Sequence, residues 1–404
     1  MKCRISVTGM GILCAAGQGV SAVMDTLYSG ARLAAPPKRI SCELDVVYPV
    51  YEVQNLSAAA YSEGSGIIDN ACSSEDSLSV RMLMQVVQEA LVQAQLTPKD
   101  LVNKRVGVCI GTTTGASLNF ADDYFAHKKH GWKSMSQVSS WLHSNPALAV
   151  SKYLGLSGPC QTVVNACSSG TDAIGLGMSW LENDVCDIVL AGGVDELSLV
   201  SYNGFIRLGV YDPEPCRPFD AGRKGLNLGE GAAMLVLEKR KDAEARGIAL
   251  QAECAGYGTS ADAYHLTAPA PEGDGVKRAI ESALEQAEIT CDDVDFINVH
   301  GTATPDNDRV ESRVLTDMFP DTLVSATKGF TGHTLGAAGA IEAVFVIQAL
   351  LDQKLPASVG FGESEDGFTM CPVSRDISIV ARYGLSESLA FGGNNSVLIF
   401  SKEL

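Results

Sequence analysis

Short apolar runs alternate with helix-length segments along the whole chain, and this alternation restricts the fold more than any other feature. The runs that predict buried strands are Ile5–Val7, Val106–Ile110, Ile188–Ala191, Met234–Leu237, Phe296–Val299 and Val397–Phe400. Apolar residues recur at a spacing of about 3.6 in Val80–Gln95, Gly170–Leu181, Gly275–Ala287 and Ala337–Leu351, which predicts helices there. Such alternation is typical of layered α/β proteins with a largely parallel sheet.

The composition agrees with a compact globular protein, because 46% of the 404 residues are hydrophobic and 40 are glycine. The formal net charge of −18 argues against nonspecific binding to nucleic acid or to anionic membranes. Twelve cysteines occur without a CxxC pair or a Cys/His cluster at zinc spacing, which predicts reduced thiols and a cytoplasmic protein. No secretory signal is visible, and no apolar run approaches the roughly eighteen residues of a membrane span.

A faint internal repeat suggests a duplicated α/β unit. Val7–Gly11 resembles Ala255–Thr259, and the small-residue helix start after Cys167 has a counterpart in Leu335–Glu342. The polar stretch Lys239–Gly247 is the best seam between the copies. We therefore predict two halves, residues 1–247 and 248–404, with two helix N-termini that meet at one site.

Cys167 is the best candidate nucleophile in the chain. It follows an apolar strand-like stretch and precedes small residues that open a helix, in the run Val163–Gly170. Free backbone N–H groups and the helix dipole can lower a thiol pKa to roughly 3.5–7.5 at such a position. The alternative is a small buried hydrophobic side chain, which is the usual fate of a free cysteine.

Three more segments place polar groups directly after an apolar run. They are Asn298–Pro305, Ala326–His333 and Phe391–Asn395. Loops at the carboxyl ends of strands are where open α/β sheets keep their sites. Two of the six histidines fall in these segments, so their placement favours catalysis over packing.

With these motifs in place, the chain resembles the elongating β-ketoacyl-[acyl-carrier-protein] synthases of the thiolase-like superfamily. The motifs that carry the resemblance, in family order, are Val7–Gly11, the Cys167 elbow, Arg217–Asp220 with Gly229–Ala232, Tyr264–Pro269, His300–Pro305, Lys328–His333 and Phe391–Asn395. They cover essentially the whole length. The resemblance implies a thiolase-like layered αβαβα fold made of two similar halves.

The resemblance also implies a ping-pong condensation on a cysteine. An acyl group would move from a phosphopantetheine thiol to Cys167, with backbone N–H groups of Cys167 and Phe391 as the oxyanion hole. Malonyl thioester would then lose CO₂, and His300 and His333 would donate to the enolate oxygen through their Nε2 atoms. The carbanion would attack the acyl group and lengthen the chain by two carbons.

The remaining implied site residues have plain structural alternatives. Lys328 would hold the charge balance of the site and Glu311 would anchor that lysine, although the two could form an ordinary surface ion pair. Thr302 and Thr304 would contact the pantetheine arm, with helix capping or turn chemistry as the competing explanation.

Two departures from the common family pattern concern substrate and partner. Leu389 and Ala390 precede the gate residue Phe391 where many relatives carry Phe-Gly, which should stiffen the loop.

Residues 41–80 contain no Lys, Arg or His, although relatives often carry basic residues there for the acidic carrier protein. The candidates for docking the carrier are Lys128, Lys129, Lys133 and Arg207, with solvated surface charge as the alternative. These departures suggest a specialised pathway to a polyene or other polyketide-like lipid.

Other assignments are open at this point. A thiolase would need a second catalytic cysteine near the C-terminus, and Phe391–Ser396 contains none. A chain-length partner subunit would have lost the nucleophile, which this chain retains. The resemblance implies a homodimer or heterodimer with Gln161–Asn165 as a contact. It implies no redox cofactor and no catalytic metal, because decarboxylation supplies the driving force and the histidines stabilise the enolate, while phosphopantetheine arrives on the carrier protein. It leaves room for a structural monovalent cation near Glu342.

Overall fold

The computed structural model describes residues 3–40, 44–54, 76–115, 119, 128–129, 131 and 145–403. The strands are β1 (Ile5–Cys14), β2 (Gly17–Gln18), β3 (Val106–Gly111), β4 (Cys160–Val163), β5 (Ile188–Asp195), β6 (Gly231–Lys239), β7 (Ala252–Ala261), β8 (Phe296–Asn298), β9 (Leu323–Ser325), β10 (Lys354–Leu355), β11 (Ile377–Ser378), β12 (Tyr383–Ala390) and β13 (Asn394–Ser401). The α-helices are α1 (Val20–Ser29), α2 (Leu78–Gln93), α3 (Pro98–Val102), α4 (Pro146–Tyr153), α5 (Ser169–Glu182), α6 (Leu199–Arg207), α7 (Arg240–Ala245), α8 (Asp274–Ala287), α9 (Pro305–Met318), α10 (Lys328–Thr331) and α11 (Ala338–Asp352). Every strand and helix predicted from apolar spacing is present.

The strand order shows the duplication. The large sheet runs β4-β3-β5-β6-β1-β7-β13-β12-β8-β9, with β2 paired to β1 at the side. Apart from the short strands β2, β10 and β11, each half has its strands in the same order. The first strand, β1 or β7, lies beside the last strand, β6 or β13. The third strand, β4 or β9, lies at the outer edge. The two first strands, β1 and β7, pair antiparallel in the middle. The boundary at residue 247 stays a prediction.

Helices cover the two halves in layers. One apolar cluster packs α2 and α4 on the outer face of the first half, and another packs α8 and α9 on the outer face of the second half. The cluster between them joins α5 and α11 to the inner faces of both halves. This arrangement confirms the predicted layered αβαβα fold.

The expectation of a largely parallel sheet is wrong. Among the strands of the described residues, the parallel pairs are β3–β4, β3–β5, β12–β8 and β8–β9. The last strand of each half turns back beside the one before it, so β5–β6 and β12–β13 are antiparallel. Apolar runs mark buried strands but carry no information on direction, and the sheet is mixed.

Paired glycines explain the internal repeat at the starts of the two halves. A Cβ at Gly9 or Gly11 would lie 2.1 Å from a backbone carbonyl oxygen of α2. A Cβ at Gly256 or Gly258 would lie 2.2 or 2.0 Å from a carbonyl oxygen of α8. Each glycine pair therefore lets an outer helix approach the first strand of its half more closely than any side chain would allow.

The Gly258→Ala substitution is expected to lower the free energy of unfolding by about 1–3 kcal/mol, because α8 must move away from β7. Gly204→Ala on α6 is the matched control, since a Cβ there meets nothing within 4 Å and alanine favours the helix by up to about 1 kcal/mol. Urea denaturation measures both. Equal unfolding midpoints for the two variants would contradict the close-approach explanation.

The central helix is the most apolar helix of the site-bearing layer. Leu335–Asp352, which is α11 with the 3₁₀ turn before it, spans 18 residues at a mean hydropathy of 1.6, enough by length and composition to cross a membrane. It is not an uninterrupted apolar run, because Glu342 and Gln348 lie within it. In addition, 83% of the segment is buried, and it packs against strands of both halves of the large sheet, so packing in the core explains its composition.

Candidate active site

The chain turns sharply between β4 and α5, and Cys167 lies in this turn. Ala166 has a φ of 49°, a strained value for a residue with a side chain. The Ser169 hydroxyl holds the turn, since it donates to the Ala166 carbonyl at 2.6 Å and accepts from the Asn165 N–H at 2.8 Å. Cys167 is only 4% exposed and stands two residues before the helix, as the sequence predicted.

The starts of α5 and α11 meet through glycines. A Cβ at Gly170 would lie 2.8 Å from the backbone nitrogen of Ala340, and one at Gly339 would lie 1.9 Å from Thr171 Oγ1. This packing places the loop before α11 against the elbow, so that His333 Nε2 lies 3.0 Å from Cys167 Sγ. The expected meeting of two helix N-termini is thus observed.

His300 lies beside His333 in the same buried site. The two ring centroids are 5.2 Å apart at an interplanar angle of 84°. Lys328 Nζ is 3.3 Å from His300 Nδ1 and also donates to the His300 carbonyl at 2.5 Å. Because an ammonium group can only donate, Nδ1 is the acceptor and the proton of neutral His300 sits on Nε2.

The prediction that Glu311 anchors Lys328 is wrong. The carboxylate on the lysine is Glu342, with 2.5 Å between Nζ and Oε1 and both side chains 2% exposed. Glu311 instead accepts the backbone N–H groups of His300, at 2.5 Å, and Gly301, at 2.9 Å. Glu311 therefore shapes the His300 loop, while Glu342, which lies on a different helix, neutralises the lysine.

Two buried aspartates that the sequence analysis missed hold the loops of the site. Asp308 accepts the N–H groups of Phe219 and Ala303, both of which have positive φ, and burial raises its pKa to about 7. Asp195 accepts the N–H of Gly336 at 2.7 Å, close to His333. The sequence signal for both was an acidic residue within a buried helix face or at a buried strand end. A carboxylate at such a place needs hydrogen-bond donors.

Burial dominates the ionisation of the site. It raises the pKa of the Cys167 thiol to about 11, against partial lowering by the backbone N–H of Phe391 and by Lys328. The expected lowering by the helix start is therefore wrong in direction for the resting enzyme. Burial and the nearby Lys328 hold the pKa of His300 and of His333 well below the usual range, so both rings are neutral.

A cavity of about 100 Å³ opens onto Cys167, His300 and His333. Thr302 and Thr304 line it, with their hydroxyl oxygens 2.9 Å apart, and their contact with the pantetheine arm stays a prediction.

Phe391 also lines this cavity and stacks on Phe205 of α6 at 5.6 Å between centroids. Ala390 ends strand β12, whereas Gly392 and Gly393 carry the positive φ values of the turn. Positive φ is thus needed only at these glycines, and alanine at 390 adds no backbone strain.

The predicted docking and dimer residues lie on the surface where they are described. Lys128, Lys129 and Arg207 are exposed, and Arg207 ends the helix that carries Phe205. Lys133 and most of 41–80 lie outside the described residues. Gln161–Asn165 lies at and just after the outer edge strand β4, and Val164 within it is 65% exposed. Docking and dimerisation by these residues stay predictions.

Two groups in the described part of the site could bind metal ions. The ligand atoms of Cys167, His300 and His333 all lie within 4.8 Å of one another. Glu342 Oε2 is buried and accepts no hydrogen bond from the described residues, so this oxygen is available to the structural monovalent cation for which the family resemblance leaves room.

Comparison with known proteins agrees with this geometry. The family model described as the N-terminal domain of β-ketoacyl synthase matches residues 2–243, and the C-terminal domain model matches residues 251–362. The chain belongs to the β-ketoacyl synthase family. It is 34% identical to 3-oxoacyl-[acyl-carrier-protein] synthase 2 of Staphylococcus aureus strain N315, over 99% of this chain and 98% of that one.

Solved structures show the same likeness. The ishigamide ketosynthase/chain length factor superposes with a TM-score of 0.93 at 29% identity, covering 100% of both chains. The ketosynthase ApeO in complex with its chain length factor ApeC, from Xenorhabdus doucetiae, gives a TM-score of 0.84 at 28% identity over 99% and 98%. The enzyme is thus an acyltransferase-type condensing enzyme that elongates fatty-acid or polyketide chains, and these matches favour that activity over a thiolase.

Proposed function

We propose that the enzyme performs a decarboxylative Claisen condensation in which Cys167 carries the growing acyl chain between two carrier-bound thioesters. The observation that carries this proposal is the buried contact of 3.0 Å between Cys167 Sγ and His333 Nε2, beside a second neutral histidine. A nucleophile and two neutral imidazoles in one closed site suit acyl transfer followed by enolate formation.

In the first half-reaction, the Cys167 sulfur attacks the acyl thioester carbonyl. A sulfur–carbon bond forms to Cys167, the bond to the pantetheine sulfur breaks, and the thiol proton ends on the leaving pantetheine sulfur. The backbone N–H groups of Cys167 and Phe391 both face the Cys167 sulfur, where they would meet the oxyanion of the tetrahedral intermediate.

In the second half-reaction, malonyl thioester enters the cavity and its carboxylate leaves as CO₂. The electron pair of the broken carbon–carbon bond forms an enolate, whose oxygen accepts from Nε2–H of His300 and of His333. The carbon of the enolate then attacks the acyl carbonyl on Cys167. The Cys167 sulfur leaves as a thiolate and takes a proton from solvent, and the 3-oxoacyl product departs on the carrier.

Lys328 sets the tautomer of His300, because its ammonium group occupies Nδ1. The pairing of Lys328 with Glu342 keeps this part of the site neutral overall. In neutral surroundings, no counter-charge stabilises the malonyl carboxylate. Release of CO₂ therefore removes an uncompensated buried charge from the site. We infer that neither a redox cofactor nor a catalytic metal takes part.

We further propose a ketosynthase-like partner subunit and a dedicated acyl carrier protein. The support is that the structural neighbours include the ishigamide ketosynthase/chain length factor and a ketosynthase in complex with its chain length factor, and that β4 forms an exposed edge. The carrier would dock through Lys128, Lys129, Lys133 and Arg207 on a cytoplasmic enzyme. The pathway would lead to a polyene or other polyketide-like lipid.

Reconstitution tests this function. Purified enzyme, with its partner subunit, is incubated with an acyl carrier protein and with malonyl carrier protein. Mass spectrometry should find the acyl group on Cys167, and a 3-oxoacyl carrier product longer by two carbons. If the chain raises the activity of another ketosynthase but never takes up an acyl group, it is a chain-length partner instead and the proposed function fails.

A further inference from the structure

The first turn of α5 carries a buried carboxylate that the mechanism above does not use. Asp172 is 6% exposed and accepts hydrogen bonds from four side chains. Two donors belong to the elbow around the nucleophile, Asn165 Nδ2 at 2.8 Å and Ser168 Oγ at 2.9 Å, both to Oδ2. The other two belong to the second half of the fold, Tyr257 OH at 2.8 Å and Ser396 Oγ, both to Oδ1. The carboxylate therefore bridges the nucleophile elbow and the second half.

A carboxylate suits this bridge because both of its oxygens accept and neither donates, so that each oxygen serves one pair of donors. The Ser168 hydroxyl also lies 3.0 Å from the Asn165 carbonyl oxygen, but its single proton favours the charged acceptor. Asp172→Asn keeps the shape of the side chain and turns an N–H₂ group towards one of the two pairs. This substitution therefore breaks the bridge on one side while leaving the packing in place.

Tyr257 reaches Asp172 because α5 has a glycine in the path of its ring. A Cβ at Gly175 would lie 2.5 Å from the Tyr257 ring, so a side chain there would push the tyrosine away. Burial, together with the Asp172 carboxylate, raises the pKa of the Tyr257 hydroxyl, which stays the donor. The residue before Asp172 adds a link to β12, since Thr171 Oγ1 lies 2.8 Å from Ser388 Oγ. The first turn of α5 is thus bonded to three strands of the second half.

These strands carry the partners that the thiol needs for acyl transfer. Ser388 and Ser396 pair across β12 and β13, and Phe391 lies in the turn that joins the two strands. The oxyanion hole proposed above takes one N–H group from Phe391 and the other from Cys167, so its two donors come from different halves. His333, whose Nε2 lies 3.0 Å from the sulfur, also belongs to the second half. A shift of the elbow against β12 and β13 would separate all of these groups from the sulfur.

We propose that Asp172 is a positioning residue for acyl transfer, whose carboxylate holds the nucleophile elbow in register with the strands on either side of the Phe391 turn. The inference rests on the proposed function, since this register matters for activity only if Cys167 takes up an acyl group. Asp172 itself does not line the cavity at Cys167. Malonyl decarboxylation uses His300 and His333, which both lie in the second half, so it does not need this bridge.

The first test compares the two half-reactions in Asp172→Asn. Rapid-quench mass spectrometry should find acyl transfer to Cys167 slowed about 10–100-fold with KM unchanged, because the sulfur is misplaced relative to the oxyanion donors. Malonyl decarboxylation should stay within about twofold. Asp242→Asn is the matched control, since it also removes an acid from the first turn of a helix, α7, and it should leave both rates within about twofold. A parallel fall of both rates in Asp172→Asn would overturn the inference.

The second test asks whether Tyr257 acts through Asp172. Tyr257→Phe removes one of the four donors and should slow acyl transfer about three- to tenfold in wild type, but less than about twofold in Asp172→Ala, which lacks the acceptor. Tyr28→Phe is the control, because it removes a bond of 2.9 Å from a tyrosine hydroxyl to Asp352 Oδ2 elsewhere in the fold. Equal effects of Tyr257→Phe in the two backgrounds would contradict the bridge. If the Asp172 variants do not fold, the ratio of the two half-reactions in Tyr257→Phe against Tyr28→Phe decides.

Alkylation of Cys167 by iodoacetamide separates this inference from the proposed function. The thiol is 4% exposed, so a loosened elbow should admit the reagent and raise the alkylation rate at least about threefold in Asp172→Asn, opposite in direction to acyl transfer. Peptide mass spectrometry follows the modification at this cysteine. If wild type takes up no acyl group, the proposed function fails, and the alkylation rates still show whether Asp172 holds the elbow. Alkylation at the wild-type rate in Asp172→Asn would show that it does not.

Discussion

Cys167→Ala is expected to abolish chain elongation, with a fall in rate of at least about 10³-fold. The Cys167 sulfur is the atom that would hold the acyl group, and alanine leaves no nucleophile at the end of the cavity. Intact-protein mass spectrometry after incubation with acyl carrier protein should show one acyl group on wild type and none on the variant. Condensation is followed in parallel as formation of the 3-oxoacyl product.

Cys254→Ala is the matched control for this experiment. Cys254 is also 4% exposed, but it lies on β7 in the central apolar cluster and lines no part of the cavity at Cys167. It should retain both acylation and elongation. An elongation rate close to wild type in Cys167→Ala would rule out the covalent mechanism.

His300→Ala and His333→Ala are expected to reduce malonyl decarboxylation by about 10²–10⁴-fold, because each removes one of two donors to the enolate oxygen. The two variants should differ in the first half-reaction. His333 contacts the Cys167 sulfur and His300 does not, so acylation should slow in His333→Ala and persist in His300→Ala. Rapid-quench mass spectrometry measures acylation, and CO₂ release measures decarboxylation.

His265→Ala serves as the control, since the His265 ring is exposed and is not one of the two histidines of the site. It should change decarboxylation by less than about twofold, as expected for a surface substitution. Normal CO₂ release by His300→Ala would show that the enolate is stabilised by other donors. The assignment of the two histidines would then be wrong.

Much of the fold could be predicted from the sequence, because the spacing of apolar residues and the positions of glycines have local physical causes. The run Val106–Ile110 is a strand because its side chains are buried, and Gly9 and Gly258 recur because helices press on the strands at these points. Strand direction was not readable, since β12 and β13 are joined by a turn at Phe391–Gly393 that reverses the chain. The mixed sheet is thus a property of the connections rather than of the strands.

The residues of the candidate site could be predicted from the sequence, but the contacts between them could not. Cys167, His300 and Lys328 follow strand ends, and strand ends of one layered fold converge. The partner of Lys328 was misread, because Glu311 and Glu342 are both buried acids within the same half. The family resemblance pointed to Glu311, eleven residues after His300, whereas helix packing brings Glu342 to the lysine.

By itself, the sequence determined the layered α/β class, the duplication and the nucleophile with its two histidines, because apolar spacing, repeated glycines and residue chemistry act locally. Tertiary structure alone decided which carboxylate meets Lys328 and that burial raises the thiol pKa of Cys167. Both depend on how deeply a charged group is enclosed and on which side chains lie next to it. These are set by the packing of separate helices and loops against one another.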